Sequence, residues 1–146
     1  MENPIRTVRV SEDARDQLIR LKRYTGVSQW NVLCRWAFCR SLAEPHPPSP
    51  APLGEMSNVE MTWAVFAGQL SEAFLLMLRQ RVVEDGLESD DETVAQQFRL
   101  HLHRGIAYLA QEGVKRIDDL VAKAFPGFED EPLLPLHPHQ AVTAEG

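Results

Sequence analysis

The chain has 146 residues, 44% of them hydrophobic and 25% charged. Those are the proportions of an ordinary globular protein with enough chain for one sizeable core. No apolar run approaches the roughly 18–20 residues of a membrane span, and the amino terminus lacks the basic-then-apolar pattern of an export signal. The expectation is therefore a cytoplasmic protein with no membrane attachment. The net charge of −6 is unevenly placed: residues 1–43 hold eight basic and four acidic side chains, a net of +4, and the remainder holds seven and seventeen, a net of −10. A basic head on an acidic body permits nucleic-acid contact by the head and argues against DNA wrapping around the whole molecule.

The first element is a short strand over 5–10. Val8 and Val10 alternate with Thr7 and Arg9, the period-two pattern of a half-buried strand. A lone strand is not stable, so it needs a partner, for instance its copy in a second subunit. Ser11 offers an N-cap, and Glu12 and Asp13 suit the positive end of a helix dipole. Ala14, Leu18, Leu21 and Thr25 then recur at helical spacing, and Gly26 is a natural stop. Ser28 restarts a helix whose apolar face carries Trp30, Leu33, Cys34, Ala37, Phe38 and Leu42. Val32, Trp36 and Cys39 extend that face around most of the helix, which implies cover on more than one side. Cys34 and Cys39 point apart on one helix, so they read as small apolar residues and not as a disulfide.

Residues 45–52, PHPPSPAP, hold five prolines and read as an extended linker, and His46 within it as a solvated side chain. Residues 55–67 alternate at Met61, Trp63 and Val65, which favours a strand ending at Gly68, with a helix as the close competitor. A helical stripe of Leu70, Ala73, Phe74, Met77, Leu78 and Val82 follows, stopped by Gly86. Ser89 to Glu92 is a capping cluster for a helix containing Val94, Phe98, Leu102, Ala107, Tyr108 and Leu109, ended by Gly113. A shorter helix with Ile117, Leu120, Val121 and Ala124 inward runs up to Pro126. The remaining tail is proline-rich and acidic, with little to bury. The organisation expected is a ribbon-helix-helix-like unit over 5–43, a linker over 44–54, a helical oligomerisation and partner-docking region over 55–125, and a disordered tail over 126–146. The fold class expected is mainly α, with one further short strand as an option.

Chemistry-bearing motifs are few. The chain has no phosphate-binding glycine loop, no HExxH, no GxSxG and no paired CxxC. His101 and His103 are two apart and face opposite ways on a helix, so they do not chelate one ion together; no metal and no cofactor is expected. Asp90, Asp91, Glu92, Asp118 and Asp119 stand at helix starts, where acids are expected on dipole grounds. Reading them as magnesium-holding carboxylates of a DNA-nicking enzyme is the weaker option. The basic residues carry the stronger signal. Arg6, Thr7 and Arg9 flank or line the strand, and ribbons of this kind enter a major groove. Arg15, Lys22, Arg23 and Arg35, with Arg40, are further candidates for phosphate contact, which is salt-sensitive and largely sequence-independent. Ser28, opening the second helix, would present free N–H groups to a phosphate.

Taken together, VRVSEDARDQLIRLKRYTGVSQWNVLCRWAFCRSL, the segment AFLLMLRQR and the helix through QFRLHLHRGIAYL resemble the DndE family. The likeness covers roughly residues 5–113. It rests on the Leu-Lys-x-x-Thr-Gly turn at 21–26, the Asn-Val-Leu-Cys-Arg run at 31–35, and the His103-Arg104-Gly105 end of the last segment. The resemblance implies a small, mostly helical, oligomeric DNA-binding protein. Such a protein works beside partner subunits in bacterial DNA phosphorothioate modification, where sulfur replaces a non-bridging phosphate oxygen. The expectation is a non-catalytic subunit that touches the DNA backbone and scaffolds partners. A ribbon-helix-helix repressor or antitoxin is the runner-up.

Overall fold

The computed structural model describes residues 3–113 and residue 119. The helix expected after Gly113, Asp119 apart, and the tail from 126 lie outside the described residues. Within them the order is β1 (Thr7–Ser11), α1 (Glu12–Thr25), α2 (Trp30–Leu42), β2 (Met56–Thr62), α3 (Trp63–Ala67), α4 (Ser71–Glu84) and α5 (Asp91–Gln111). A 3₁₀ turn at Gly68–Leu70 joins α3 to α4. The fold is mainly helical, with one two-stranded sheet.

The strand does not wait for a second subunit. β1 pairs antiparallel with β2 of the same chain, setting Thr7 opposite Thr62, Val8 opposite Met61 and Arg9 opposite Glu60. The register shifts between Arg9 and Ser11, where Ser57 donates its hydroxyl to the Val10 carbonyl and accepts from Val59 N–H. The period-two reading holds for the faces: Val8 and Val10 are buried, and Thr7 and Arg9 are exposed.

α1 forms as its capping residues dictate. Ser11 accepts from Ala14 N–H, Glu12 and Asp13 occupy the first turn, and Gly26 closes the helix in the left-handed region at φ 76. Only glycine adopts that conformation cheaply. Ala14, Leu18 and Leu21 are buried. The start of α2 departs from expectation. Its N-cap is Gln29, with no side-chain capping bond, and Ser28 is exposed in the preceding turn.

The segment after the linker also differs in part. The strand ends at Thr62, whose hydroxyl accepts from Val65 N–H and starts α3. Trp63, Phe66 and Ala67 are buried at helical, not alternating, spacing. On α4 the inward residues are Phe74, Leu75, Leu78, Arg81 and Val82, whereas Leu70 and Met77 are 47% and 42% exposed.

One core serves residues on both sides of the linker. Its centre is an aromatic cluster: Phe38 of α2, Phe66 of α3, Phe74 of α4 and Phe98 of α5, with Trp63 against Phe66 and Phe98. Ring centroids lie 5.2 to 6.0 Å apart in tilted and edge-on arrangements, which the aromatic quadrupole favours. The linker is held down by arginines. Arg81, 8% exposed, donates to the carbonyls of Leu42, Glu44 and His46 while pairing with Asp85. Arg104 donates to the carbonyls of Ser41 and His46 and to the Ser41 hydroxyl. These carbonyls include the unsatisfied acceptors that every helix leaves at its carboxyl end.

α2 and α5 make the tightest contact. A Cβ built on Gly105 would lie 1.7 Å from the Ala37 carbonyl oxygen. Glycine there is a condition of the packing and not a matter of backbone freedom. Gly105→Ala is expected to force the two helices apart and to destabilise the protein by roughly 3 kcal/mol, the scale of core overpacking. A urea unfolding curve against the parent chain measures it.

Candidate nucleic-acid interface

Among the described residues the arginines sort into two groups. The first group is committed to the fold. Arg35 donates to the carbonyls of Phe66 and Val65 and lies against Gly68, so it anchors the end of α3. Arg40 makes a two-pronged contact with Glu112 at 2.7 and 3.1 Å, is 3.6 Å from Glu44, and stacks over Tyr108 at 4.7 Å. Arg79 is 3.6 Å from Asp91 and donates to the Ser89 carbonyl. Arg81 and Arg104 hold the linker. Of the basic candidates, Arg35 and Arg40 thus already have protein partners, and the fold does not bring Arg35 to the ribbon.

The second group faces solvent: Arg6, Arg9, Arg15, Arg20, Arg23 and Arg99. Arg9 donates from Nε to the Ser57 carbonyl at 2.7 Å, which leaves its terminal nitrogens facing an open groove. That groove, of about 560 Å³, is also lined by Arg15, Glu12, Asp16 and Asn58. Glu60 stands across the ladder from Arg9, and Arg15 is 3.6 Å from Asp16. The exposed ribbon face therefore mixes both signs of charge.

The carboxyl half of α1 is different. Glu12, Asp13 and Asp16 lie in its first half; Arg20, Lys22 and Arg23 lie in its second. This order complements the helix dipole. Arg20 and Arg23, three apart, share an exposed side. Lys22 is half-buried, with Nζ 4.2 Å over the Trp30 ring, and Tyr24 is 51% exposed beside them. The loop at 26–29, with Gly26, Ser28 and Gln29 exposed, leads from this surface to the start of α2. Arg20 and Arg99 are additions to the sequence-derived site. Arg20 is legible from its spacing to Arg23. Arg99 has no sequence signal, since its exposure follows from the way α5 packs.

The acidic and histidine candidates have structural posts. Asp90 accepts from Thr93 N–H and the Thr93 hydroxyl, and these bonds hold its carboxyl below the ordinary value. Asp91 faces Arg79, and Asp118 lies outside the described residues. Among the described residues no group of three or more His, Cys, Asp or Glu is placed to hold a metal ion. Cys34 is buried, and burial pushes its thiol up to about 12. His103 ties α5 to the β1–α1 junction: Nε2 accepts from Ser11 N–H at 3.0 Å and Nδ1 donates to the Arg99 carbonyl at 2.8 Å. That arrangement requires the neutral ring. His101 is fully buried, bonded through Nδ1 to the Ser41 hydroxyl at 2.8 Å, and its Nε2 has no hydrogen-bond partner among the described residues.

Burial, followed by the Arg104 and Arg81 charges, depresses His101 to about 3; burial also lowers His103. Both rings take protons more readily in the unfolded chain, where the ordinary value of 6.5 applies. The stability that these two rings contribute is therefore fully present above about pH 6.5 and is lost as pH drops towards 3. His101→Asn keeps an acceptor for Ser41, and His103→Gln keeps one for Ser11 N–H. Denaturation midpoints at pH 7.5 and pH 5 are expected to differ less in the double variant than in the parent.

The family model described as DndE, DNA sulphur modification protein, matches residues 7–116. Among solved structures, the chain is similar to the crystal structure of DndE from Escherichia coli B7A involved in DNA phosphorothioation modification. The likeness has 26% identity and a TM-score of 0.61, and covers 75% of this chain and 99% of that one. No match was found among curated proteins.

Proposed function

The chain belongs to the DndE family of DNA sulphur modification proteins and is a component of DNA phosphorothioation; on that premise we propose that it is the non-catalytic subunit that contacts the DNA backbone and scaffolds its partners. The observation that carries this reading is the sorting of the arginines. Among the described residues, Arg35, Arg40, Arg79, Arg81 and Arg104 are held by carbonyls and carboxylates within the fold, Arg9 lends its Nε to the Ser57 carbonyl, and Arg20 and Arg23, with Lys22, leave one end of α1 cationic on a molecule of net charge −6. A few such cations neutralise phosphates without reading bases. Arg9 and Arg15, which line a groove at the first half of α1, and Arg6, which shares another with Asp91 and Glu92, are further candidates for phosphate contact.

The repressor reading has less support. A ribbon that reads bases in a major groove needs donors free to face them, and here Arg9 stands opposite Glu60 with its Nε held by Ser57. The nicking-enzyme reading has less support too, since Asp90 caps α5 and Asp91 pairs with Arg79. Sulfur transfer and nucleotide-driven steps belong, on this proposal, to partner subunits. Self-association into a homo-oligomer is part of the same proposal.

The test is fluorescence anisotropy with intact and nicked duplexes across a salt series. Arg20→Gln with Arg23→Gln is expected to weaken binding to both duplexes at low salt. On duplex DNA the slope of log affinity against log salt should fall by roughly 0.9 for each phosphate that the variant no longer neutralises. An unchanged slope, or magnesium-dependent strand cleavage by the purified chain, would overturn the proposal.

A further inference from the structure

α4 is apolar on both sides. Its inner face enters the core, but Leu76, Met77 and Val83 on the opposite side are 56%, 42% and 57% exposed, and Leu87 just beyond the helix is 39% exposed. Ala73, Leu76, Gln80 and Val83 fall at intervals of three, four and three, the spacing of a helix face that packs against another helix, and Leu87 follows after the turn at Gly86. A contiguous exposed strip of this kind marks an interaction surface, unlike scattered single apolar residues.

The charges around the strip say what fits it. Glu72 and Glu84 of α4 flank it and Glu88 follows in the loop beyond the helix, all exposed. Both arginines of α4 have their partners elsewhere. Arg81 is buried among the linker carbonyls, and Arg79 engages Asp91 and Ser89 at the start of α5. The rim of the strip is therefore acidic. A second copy docked strip to strip would set one acidic rim against another in a desolvated contact, where like charges cost most. A partner with an apolar stripe bordered by lysines or arginines matches both features.

We infer that the outer face of α4 is the docking surface for a basic amphipathic helix of another protein subunit, with Leu76 and Val83 as its anchors. The inference rests on the scaffolding half of the proposed function and is independent of DNA contact. Interface anchors of this kind dominate affinity when they sit at the centre of an apolar strip, and flanking charges set specificity and salt dependence.

The test uses the full chain and two synthetic helical peptides of about three heptads, with leucine at the seam positions and either lysine or glutamate beside them. The lysine peptide is expected to bind and the glutamate peptide not. Leu76→Ser with Val83→Ser should lower affinity about tenfold or more. Glu72→Gln, Glu84→Gln and Glu88→Gln together should lower it and flatten its salt dependence. All five positions are exposed, so the melting temperature and the DNA affinity should stay at parental values, while Arg20→Gln with Arg23→Gln should leave peptide binding intact. Equal binding of both peptides, or of neither, would overturn the inference. So would a fall in sedimentation coefficient of the Leu76→Ser, Val83→Ser chain alone, which would identify a second copy as the occupant.

Discussion

The architecture turns on the absence of one methyl group. Gly105 lets the backbone of α2 come against α5 at Ala37, and no side-chain rearrangement would substitute for that, because the atom in the way is a main-chain oxygen. The close approach brings Ser41 within reach of His101 and Arg104, and Arg40 within reach of Glu112. The same helix, through His103, reaches the amide of Ser11, where β1 becomes α1. The placement of the amino-terminal unit on the body is thus a consequence of helix–helix distance. Each of these polar contacts is buried or half-buried, so each depends on its partners arriving together.

A second constraint follows from α2 ending in a proline-rich stretch. Proline donates no backbone hydrogen and cannot continue the helix, so the carbonyls at its end need donors from elsewhere. Arg81 and Arg104 meet that need with planar, multi-donor groups that one lysine would not replace. The effect on the surface is indirect. Cations that composition alone would assign to solvent are drawn inside, and among the described residues α1 keeps three of the exposed arginines, Arg15, Arg20 and Arg23. A chain with an overall excess of acid thereby keeps a local positive surface.

Much of this is legible in the sequence because it is local. The strand alternation, the Ser11 cap, the buried stripe of α1 and the Gly26 stop are each set by neighbours a few residues apart, and each is found where the sequence places it. Sequence and structure part where distant packing decides. Met61, Trp63 and Val65 alternate like a strand, yet Thr62 caps a helix there because Trp63, Phe66 and Ala67 must all reach the aromatic cluster. Ser28 looks like a cap, but the chain enters α2 one residue later, at Gln29. Arg35 looks like a solvent-facing cation, yet it closes α3 from an element far away in the chain. On α4 the apolar residues outnumber the places in the core, so no periodicity argument chooses which side goes in. The basic surface is legible as a region, and its individual members are not, since their freedom depends on which carbonyls lie nearby.

The ribbon closes within a single polypeptide, and that has a consequence for how the protein behaves at low copy number. A strand that borrows its mate from another molecule is present only while the two stay associated, so its presence falls with concentration. Here the hydrogen bonds joining β1 to β2 carry no such mass-action term. The face bearing Arg9 and the helix that follows it need no strand from a second copy to be complete.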